Sequence, residues 1–162
     1  IDKTLNDKDK LEEMKKNQLT RALRVDKMTI AALEATLRLY LDEKKVFEDI
    51  PTLNMISISK DVLMKKANKF VDMIKTMEFY LEIAEDKSEI GGGSFPETFL
   101  DSIVVKLTHK KKSSTEIERR LLLDVEVPVI TRIKENSIIL DMRTLRENEF
   151  ELVKENLIKA TK

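Results

Sequence analysis

The 162-residue sequence contains no cysteine and only one histidine, His109. Without cysteine, the chain forms neither a disulfide framework nor a thiolate metal site, and it has no thiol nucleophile. A single histidine in such a chain also argues against a histidine-based metal site and against a Ser-His-Asp triad. The lack of cysteine fits a reducing compartment, so we expect a cytoplasmic protein without a bound metal.

An excess of charge of one sign is missing as well, since 30 lysines and arginines balance 30 aspartates and glutamates. This balance excludes a chain-wide basic surface for nucleic acid, so any contact with an anion has to come from a local cluster. No apolar run approaches the roughly 20 residues that span a bilayer, and no signal-peptide pattern opens the chain, so we expect no membrane partner. The start at Ile1 rather than at methionine suggests a fragment.

The amino-terminal part of the chain has two helical patterns. The first 18 residues are mostly polar and predict a short exposed helix, with Leu11 and Met14 as its only apolar pair at helical spacing. Residues 25–41 predict a longer helix that is apolar over most of its circumference. Such a helix needs cover on more than one side, which the remaining sequence is too small to supply. It therefore indicates a partner surface or a missing domain.

The pattern changes character at Pro51. Residues 50–53 predict an extended crossing, because proline pushes the residue before it out of the helical region. We therefore expect a domain boundary near Pro51, with a helical segment at 1–50 and an α+β domain at 51–162.

The second part alternates between helical and strand patterns. The predicted elements are, in order, a helix after an N-cap at Ser59, strands that include 79–83 and 103–107, a helix opened by a capping box of Ser113 and Glu116, a hairpin of 127–133 and 137–142 around Glu135-Asn136, and a helix at 147–159. The capping-box helix is expected to point Ile117, Leu121 and Leu122 inward. The strands can form one antiparallel or mixed sheet with helices on one face, which is an α+β fold.

Arg21 and Arg24 are candidate anion-binding residues. Two arginines three positions apart can point the same way, and the long helix predicted after them offers unpaired N–H groups and a positive dipole end. This combination suits a phosphate-like oxyanion. Arginine pairs are also common on surfaces, where they bond to acidic neighbours, and the spacing alone favours that alternative.

Three other features are weaker candidates. Gly91–Gly93 permits close backbone approach to a ligand, but a bent loop explains it equally, and the ending of a phosphate-binding loop is absent. The basic run at His109–Lys112 suits nucleic-acid phosphates, although a charged loop between a strand and a helix is usually solvated. Arg143 stands at a strand end before the last helix, where a guanidinium can meet a carboxylate or a phosphate.

Several motifs, in the same order, closely resemble bacterial selenocysteine synthases, the L-seryl-tRNA(Sec) selenium transferase family. They cover about residues 10–160 and lie at 19–29 (LTRALRVDKMT), 31–40, 50–53, 91–94, 128–133 and 140–144. The resemblance implies that the chain is the carboxy-terminal portion of a fold-type-I pyridoxal-phosphate (PLP) enzyme. It then holds the end of the large domain with the interdomain helix, followed by the small α+β domain.

The resemblance also implies site residues. Arg21 and Arg24 match the arginines that line the family's active site and hold a phosphate-like anion, which reverses the preference drawn from spacing. Arg143 is analogous, more weakly, to the small-domain arginine that meets the substrate carboxyl in many fold-type-I enzymes. The lysine that forms the Schiff base with PLP lies upstream of this segment in the family. We therefore expect no catalytic residue in this chain and no turnover by it alone.

The partners implied by the resemblance are seryl-tRNA(Sec), selenophosphate and further copies of the parent, which assembles as a ring of dimers. The family's tRNA recognition lies mostly in an amino-terminal region, so this chain is expected to bind tRNA weakly at most. Two alternatives stay open, a related fold-type-I PLP lyase or transferase acting on small amino acids or sugar acids, and a stand-alone α+β interaction module. An RNA-binding sheet is disfavoured because the strands lack interleaved surface aromatics and a basic face.

Overall fold

A computed structural model describes residues 8–91 and 99–162. The chain divides into two compact units, Ile1–Ile50 and Pro51–Lys162.

In the glycine run, Gly91 has a left-handed φ of 45° and open space where a Cβ would stand. Glycine at this position is therefore favoured by the backbone conformation rather than by close approach. Gly92 and Gly93 lie outside the described residues.

The described part of the first unit is helical. Its helices are α1 (Lys8–Lys16), α2 (Gln18–Ala22), α3 (Lys27–Leu39) and α4 (Val46–Asp49). The two predicted helices are confirmed as α1 and α3. The helix α2 was not predicted. Asn17 caps it, because its side chain accepts the N–H of Leu19 at 3.0 Å.

The helix α3 buries none of its residues within the described chain. Four of its apolar side chains remain more than half exposed, those of Met28, Ile30, Leu33 and Leu37. A surface of this kind is unusual for an isolated soluble unit.

The second unit combines helices with one sheet. Its elements are α5 (Pro51–Ser57), α6 (Lys60–Ile74), β1 (Phe79–Glu89), β2 (Phe99–His109), α7 (Ser114–Leu123), β3 (Arg132–Lys134), β4 (Ser137–Asp141), a 3-10 turn (Glu147–Glu149) and α8 (Phe150–Thr161). The predicted α+β class is confirmed. Of the two sheet types considered, the antiparallel one is present, with strand order β1-β2-β4-β3.

The core of this unit lies between one face of the sheet and the helices α6, α7 and α8. Alternate residues of the strands point into it, as Ile83, Val105 and Leu140 show, which pair across three neighbouring strands. The predicted hairpin turn is also confirmed. Glu135 and Asn136 both have positive φ, at 51° and 57°, which matches the twist of the strands they join.

Two predictions are wrong in their local geometry. Residues 51–53 are not extended, because Pro51 opens the helix α5; only Ile50 is extended, and proline is well suited to the first helical position. Leu122 does not point inward. Its neighbour Leu121 is fully buried, whereas Leu122, one helical step of about 100° away, is 46% exposed.

The strand bounds also differ from the predicted ones. The first hairpin is longer, since β1 and β2 both have 11 residues. The second hairpin has a shorter first strand than predicted, because residues 127–131 have no regular structure and β3 begins at Arg132. Val129 instead donates its N–H to the carbonyl of Leu121, and this bond attaches the segment to α7.

Candidate functional site

The two candidate anion-binding arginines lie on either side of the end of α2. Arg21 is in the last turn of α2, and Arg24 follows its C-cap, Leu23. Both residues are exposed, and neither guanidinium has a hydrogen bond or an ion pair in the described part of the chain. The acidic partners that would explain a surface pair are therefore not found among the described residues.

The start of α3 is occupied by a side chain of this protein. The Asp26 carboxylate accepts the N–H groups of Met28 at 2.8 Å and Thr29 at 3.0 Å, and the Thr29 hydroxyl at 2.6 Å. The hydrogen bond from the Thr29 side chain is the main reason why the pKa of Asp26 lies below its usual value. Two of the N–H groups expected to be unpaired at this helix start, those of Met28 and Thr29, are therefore already bonded. An anion here would depend on the arginines.

Arg143, the third candidate, is buried with 6% of its surface exposed. Its Nη1 donates to the carbonyl oxygens of Met55 at 2.7 Å and Ile58 at 3.1 Å, and its Nη2 donates to that of Asp101 at 2.6 Å. Its Nε is buried without a partner among the described residues. The structure thus brings Arg143 together with backbone carbonyls of the second unit. Its contact with a substrate carboxyl stays a prediction.

Asp141, the last residue of β4, organises the backbone next to Arg143. Its Oδ1 accepts the backbone N–H of Arg143 at 2.9 Å and the hydroxyl of Ser102 at 2.7 Å. Its Oδ2 accepts the hydroxyl of Ser88 at 2.5 Å, and the guanidinium of Arg132 lies 3.7 Å from it. The carboxylate therefore ties the end of β4 to both strands of the first hairpin.

Lys66 is a buried cation that the sequence reasoning missed. Its Nζ donates to the carbonyl oxygens of Met142 at 2.6 Å and Leu145 at 2.7 Å, and only 7% of the residue is exposed. Burial is the main cause that lowers the pKa of this amine. The sequence contained a signal for it, because position 66 falls between Leu63 and Phe70 on the apolar stripe of α6.

The basic run after β2 is held by its own contacts. The Nδ1 of His109 accepts the N–H groups of Lys111 at 3.1 Å and Lys112 at 3.0 Å, so the proton of the neutral ring lies on Nε2. The ammonium of Lys111 also pairs with Glu78 at 3.1 Å. These bonds are those of an ordered turn, and they leave fewer free donors for an anion.

The residues described here do not fit the covalent site of PLP, which requires a free lysine amine in a pocket. Lys66, the buried lysine among them, uses its amine for two carbonyls. Two cavities of the second unit share Ile130, Asp141 and Thr144, and neither is lined by a lysine. We therefore derive no chemical step through this cofactor from the described residues.

None of the helices described is both long and apolar enough to cross a bilayer.

Comparisons with known proteins point to one family. Residues 4–146 match the family described as SelA, L-seryl-tRNA selenium transferase. The chain is 45% identical over 154 residues to an L-seryl-tRNA(Sec) selenium transferase of Clostridium botulinum (strain 657 / Type Ba4), which covers 94% of this chain and 33% of the relative.

Two further relatives have the same name. The protein of Alkaliphilus metalliredigens is 42% identical over 149 residues, covering 91% of this chain and 32% of the relative. The protein of Alkaliphilus oremlandii is 39% identical over 145 residues, covering 88% of this chain and 31% of the relative. The chain thus spans about a third of the length of the curated relatives it matches. Because the family match includes most of the chain, with Arg21, Arg24 and Arg143 inside it, this protein belongs to the L-seryl-tRNA selenium transferase family.

Proposed function

We propose that this chain is the carboxy-terminal part of a PLP-dependent selenium transferase, which converts L-seryl-tRNA(Sec) to selenocysteinyl-tRNA(Sec) with selenophosphate as the selenium donor. The observation that carries the proposal is the family match over residues 4–146. In this assignment, residues 1–50 are the end of the large domain with the interdomain helix, and residues 51–162 are the small domain of a fold-type-I enzyme. The α+β composition of the second unit supports that assignment.

Arg21 and Arg24 are the residues that we assign to the anion. Each guanidinium presents a planar fork of N–H donors, which matches the oxygens of a phosphate or selenophosphate group. Their exposure and the lack of partners in the described chain support this role, since both forks are available to a ligand.

We assign the PLP-binding lysine to polypeptide outside this chain. The amine of Lys66 is already bonded to two carbonyls, which supports this choice. The chain alone is then inactive, and the catalytic residues come from the rest of the parent protein.

The parent is proposed to work in the cytoplasm as a homo-oligomer, a ring of dimers, with seryl-tRNA(Sec) as its macromolecular substrate. This tRNA is proposed because the relatives are named L-seryl-tRNA(Sec) selenium transferases. The exposed apolar side chains of α3 support a larger assembly, because such a surface is normally covered in the complete protein.

An activity assay of the full-length parent tests this function. The unchanged protein should convert seryl-tRNA(Sec) with selenophosphate, and Arg21→Gln or Arg24→Gln should lower kcat/KM by about 10²-fold or more, since a charged donor is lost. Arg38→Gln is the matched control, because Arg38 is also exposed but is bonded to Glu34 at 2.7 Å. No conversion by the unchanged parent, or equal losses in all three variants, would contradict the proposal.

A further inference from the structure

The second unit contains two buried cations that contact only carbonyl oxygens. Arg143 and Lys66 are 6% and 7% exposed, and neither has an ion pair in the part of the chain that the structure describes. A buried charge is costly unless hydrogen bonds compensate it. The positions of the acceptors therefore indicate what these two side chains hold in place.

The Nη1 donors of Arg143 hold the end of α5. Met55 lies in the last turn of this helix and Ile58 just after it, where helical carbonyls have no intrahelical partner. A cation at a helix carboxy terminus also interacts favourably with the helix dipole. The Nη2 of the same guanidinium donates to Asp101 in β2. One side chain thus joins α5 to the sheet.

The helix α5 has limited burial of its own, since Leu53, Met55 and Ile56 are only half-buried. It has seven residues, none of which is buried. A helix of this length is not stable in isolation, because its few hydrogen bonds do not offset the cost of nucleation. Its order therefore depends on tertiary contacts, and among the described residues Arg143 supplies the hydrogen bonds that join the end of α5 to the rest of the second unit.

The backbone that carries Arg143 is itself held from two sides. Asp141 accepts the N–H of Arg143, and Lys66 of α6 donates to the carbonyls on either side of it in sequence, at Met142 and Leu145. The backbone from which the Arg143 side chain extends is therefore fixed in position. Four of its five N–H donors belong to the two nitrogens that face carbonyls, and the fifth, on Nε, is buried.

We propose that Arg143 is a positioning residue that fastens α5 to the sheet, so that the second unit is ordered from Pro51 onward. This inference is independent of the proposed reaction, and it gives the side chain a role other than contact with a substrate carboxyl. The connection between the two units then ends at Pro51, and α5 is a fixed part of the second unit.

Hydrogen exchange of the full chain, followed by mass spectrometry, tests this role. In Arg143→Met, amides of residues 52–58 should exchange about tenfold faster or more, because several charge-assisted hydrogen bonds are lost. Arg143→Lys should restore only part of the protection, since one ammonium cannot reach both sets of carbonyls. Arg146→Met, three positions away and exposed, should match the unchanged protein. Equal exchange of the amides of residues 52–58 in Arg143→Met and the unchanged protein would overturn the proposal.

A second measurement needs no variant and remains available if Arg143→Met does not fold. The Nε–H of Arg143 should give a slowly exchanging NMR signal, because that group is buried. Addition of acetate, free serine or inorganic phosphate should leave the signal in place. A saturable shift of this signal with any of the three would mean that the guanidinium is open to an anionic ligand, and the positioning role would be wrong.

Discussion

The Nζ of Lys66 lies 2.6 Å from the carbonyl oxygen of Met142, across 76 positions of sequence. With the bond to Leu145, this contact connects α6 to the turn after β4. The pair shows how a lysine on an apolar helix stripe can serve the fold, because its amine satisfies carbonyls that no strand or helix reaches.

Lys66→Met should therefore destabilise the second unit. The methionine can fill the space of the lysine stem, but the carbonyls of Met142 and Leu145 lose their donor, which costs about 1–3 kcal/mol of unfolding free energy. Urea denaturation measures the change. Lys65→Met, at the exposed neighbouring position, is the control and should stay near the unchanged value. A Lys66→Met protein as stable as this control would contradict the role of the amine.

The same amine should make stability depend on alkaline pH. Burial lowers the pKa of Lys66 in the folded state, so between that value and the usual pKa the unfolded chain binds more protons. The free energy of unfolding contributed by this group then rises as pH increases through that window and levels off above about 10.4. Denaturation of the unchanged protein and of Lys66→Met across this range should show a steeper rise in the unchanged protein. Parallel curves would be evidence against the lowered pKa.

His109 should make the protein less stable in mild acid. Burial is the main cause that lowers the pKa of this imidazole, against a smaller opposing effect of Glu78. Protonation also removes the acceptor of the N–H groups of Lys111 and Lys112. As pH falls below about 6.5, the unfolded state takes up a proton first, so stability decreases until the folded pKa is passed. An NMR titration of the ring should give a pKa below 6.5; a value above it would refute this explanation.

Asp26→Ala should weaken the start of α3. The carboxylate is the N-cap of this helix, and its loss leaves the N–H groups of Met28 and Thr29 without their acceptor. Amides of Met28 and Thr29 should exchange faster in Asp26→Ala than in the unchanged chain, while Asp26→Ser should retain most of the protection, because serine is also a good N-cap. Loss of protection in both variants alike would show that the carboxylate charge, rather than the cap hydrogen bond, holds the helix start.

Two adjacent leucines of α7 should respond differently to substitution. Leu121→Ala should cost about 2–5 kcal/mol, because Leu121 is fully buried in the core. Leu122→Ala should change stability by much less, since this side chain is half exposed. Thermal or urea unfolding of the two variants measures the difference. Similar losses in both would mean that Leu122 also packs inward, as the sequence suggested.

Local rules in the sequence accounted for much of the fold. Ser113 caps α7, and the Glu135-Asn136 turn has the positive φ values expected of it, because both features depend on a few neighbouring residues. Pro51 shows the limit of such rules, since proline fits both an extended crossing and a first helical turn. The nearby end of the helix then depends on Arg143, 88 positions away from Met55.

The candidate site was predictable to a different degree at each residue. Arg21 and Arg24 were singled out by the family resemblance, against the preference drawn from their spacing, and their role toward an anion stays a prediction. The burial of Arg143 could not be predicted from the sequence, because its acceptors lie in α5 and β2, which only the tertiary structure brings together. Lys66 was visible as a polar residue on an apolar stripe, although the stripe does not say which carbonyls it meets.

The central claim is that this chain is part of a PLP enzyme whose cofactor lysine lies elsewhere in the parent, and borohydride trapping tests it most directly. The full-length parent and the 162-residue chain are each incubated with PLP, reduced, digested and analysed by mass spectrometry. We predict one stoichiometric lysine adduct in the parent, at a residue outside this chain, and no single-site adduct in the chain alone. A stoichiometric adduct at a lysine of this chain, Lys66 included, or no adduct in the parent, would contradict the claim.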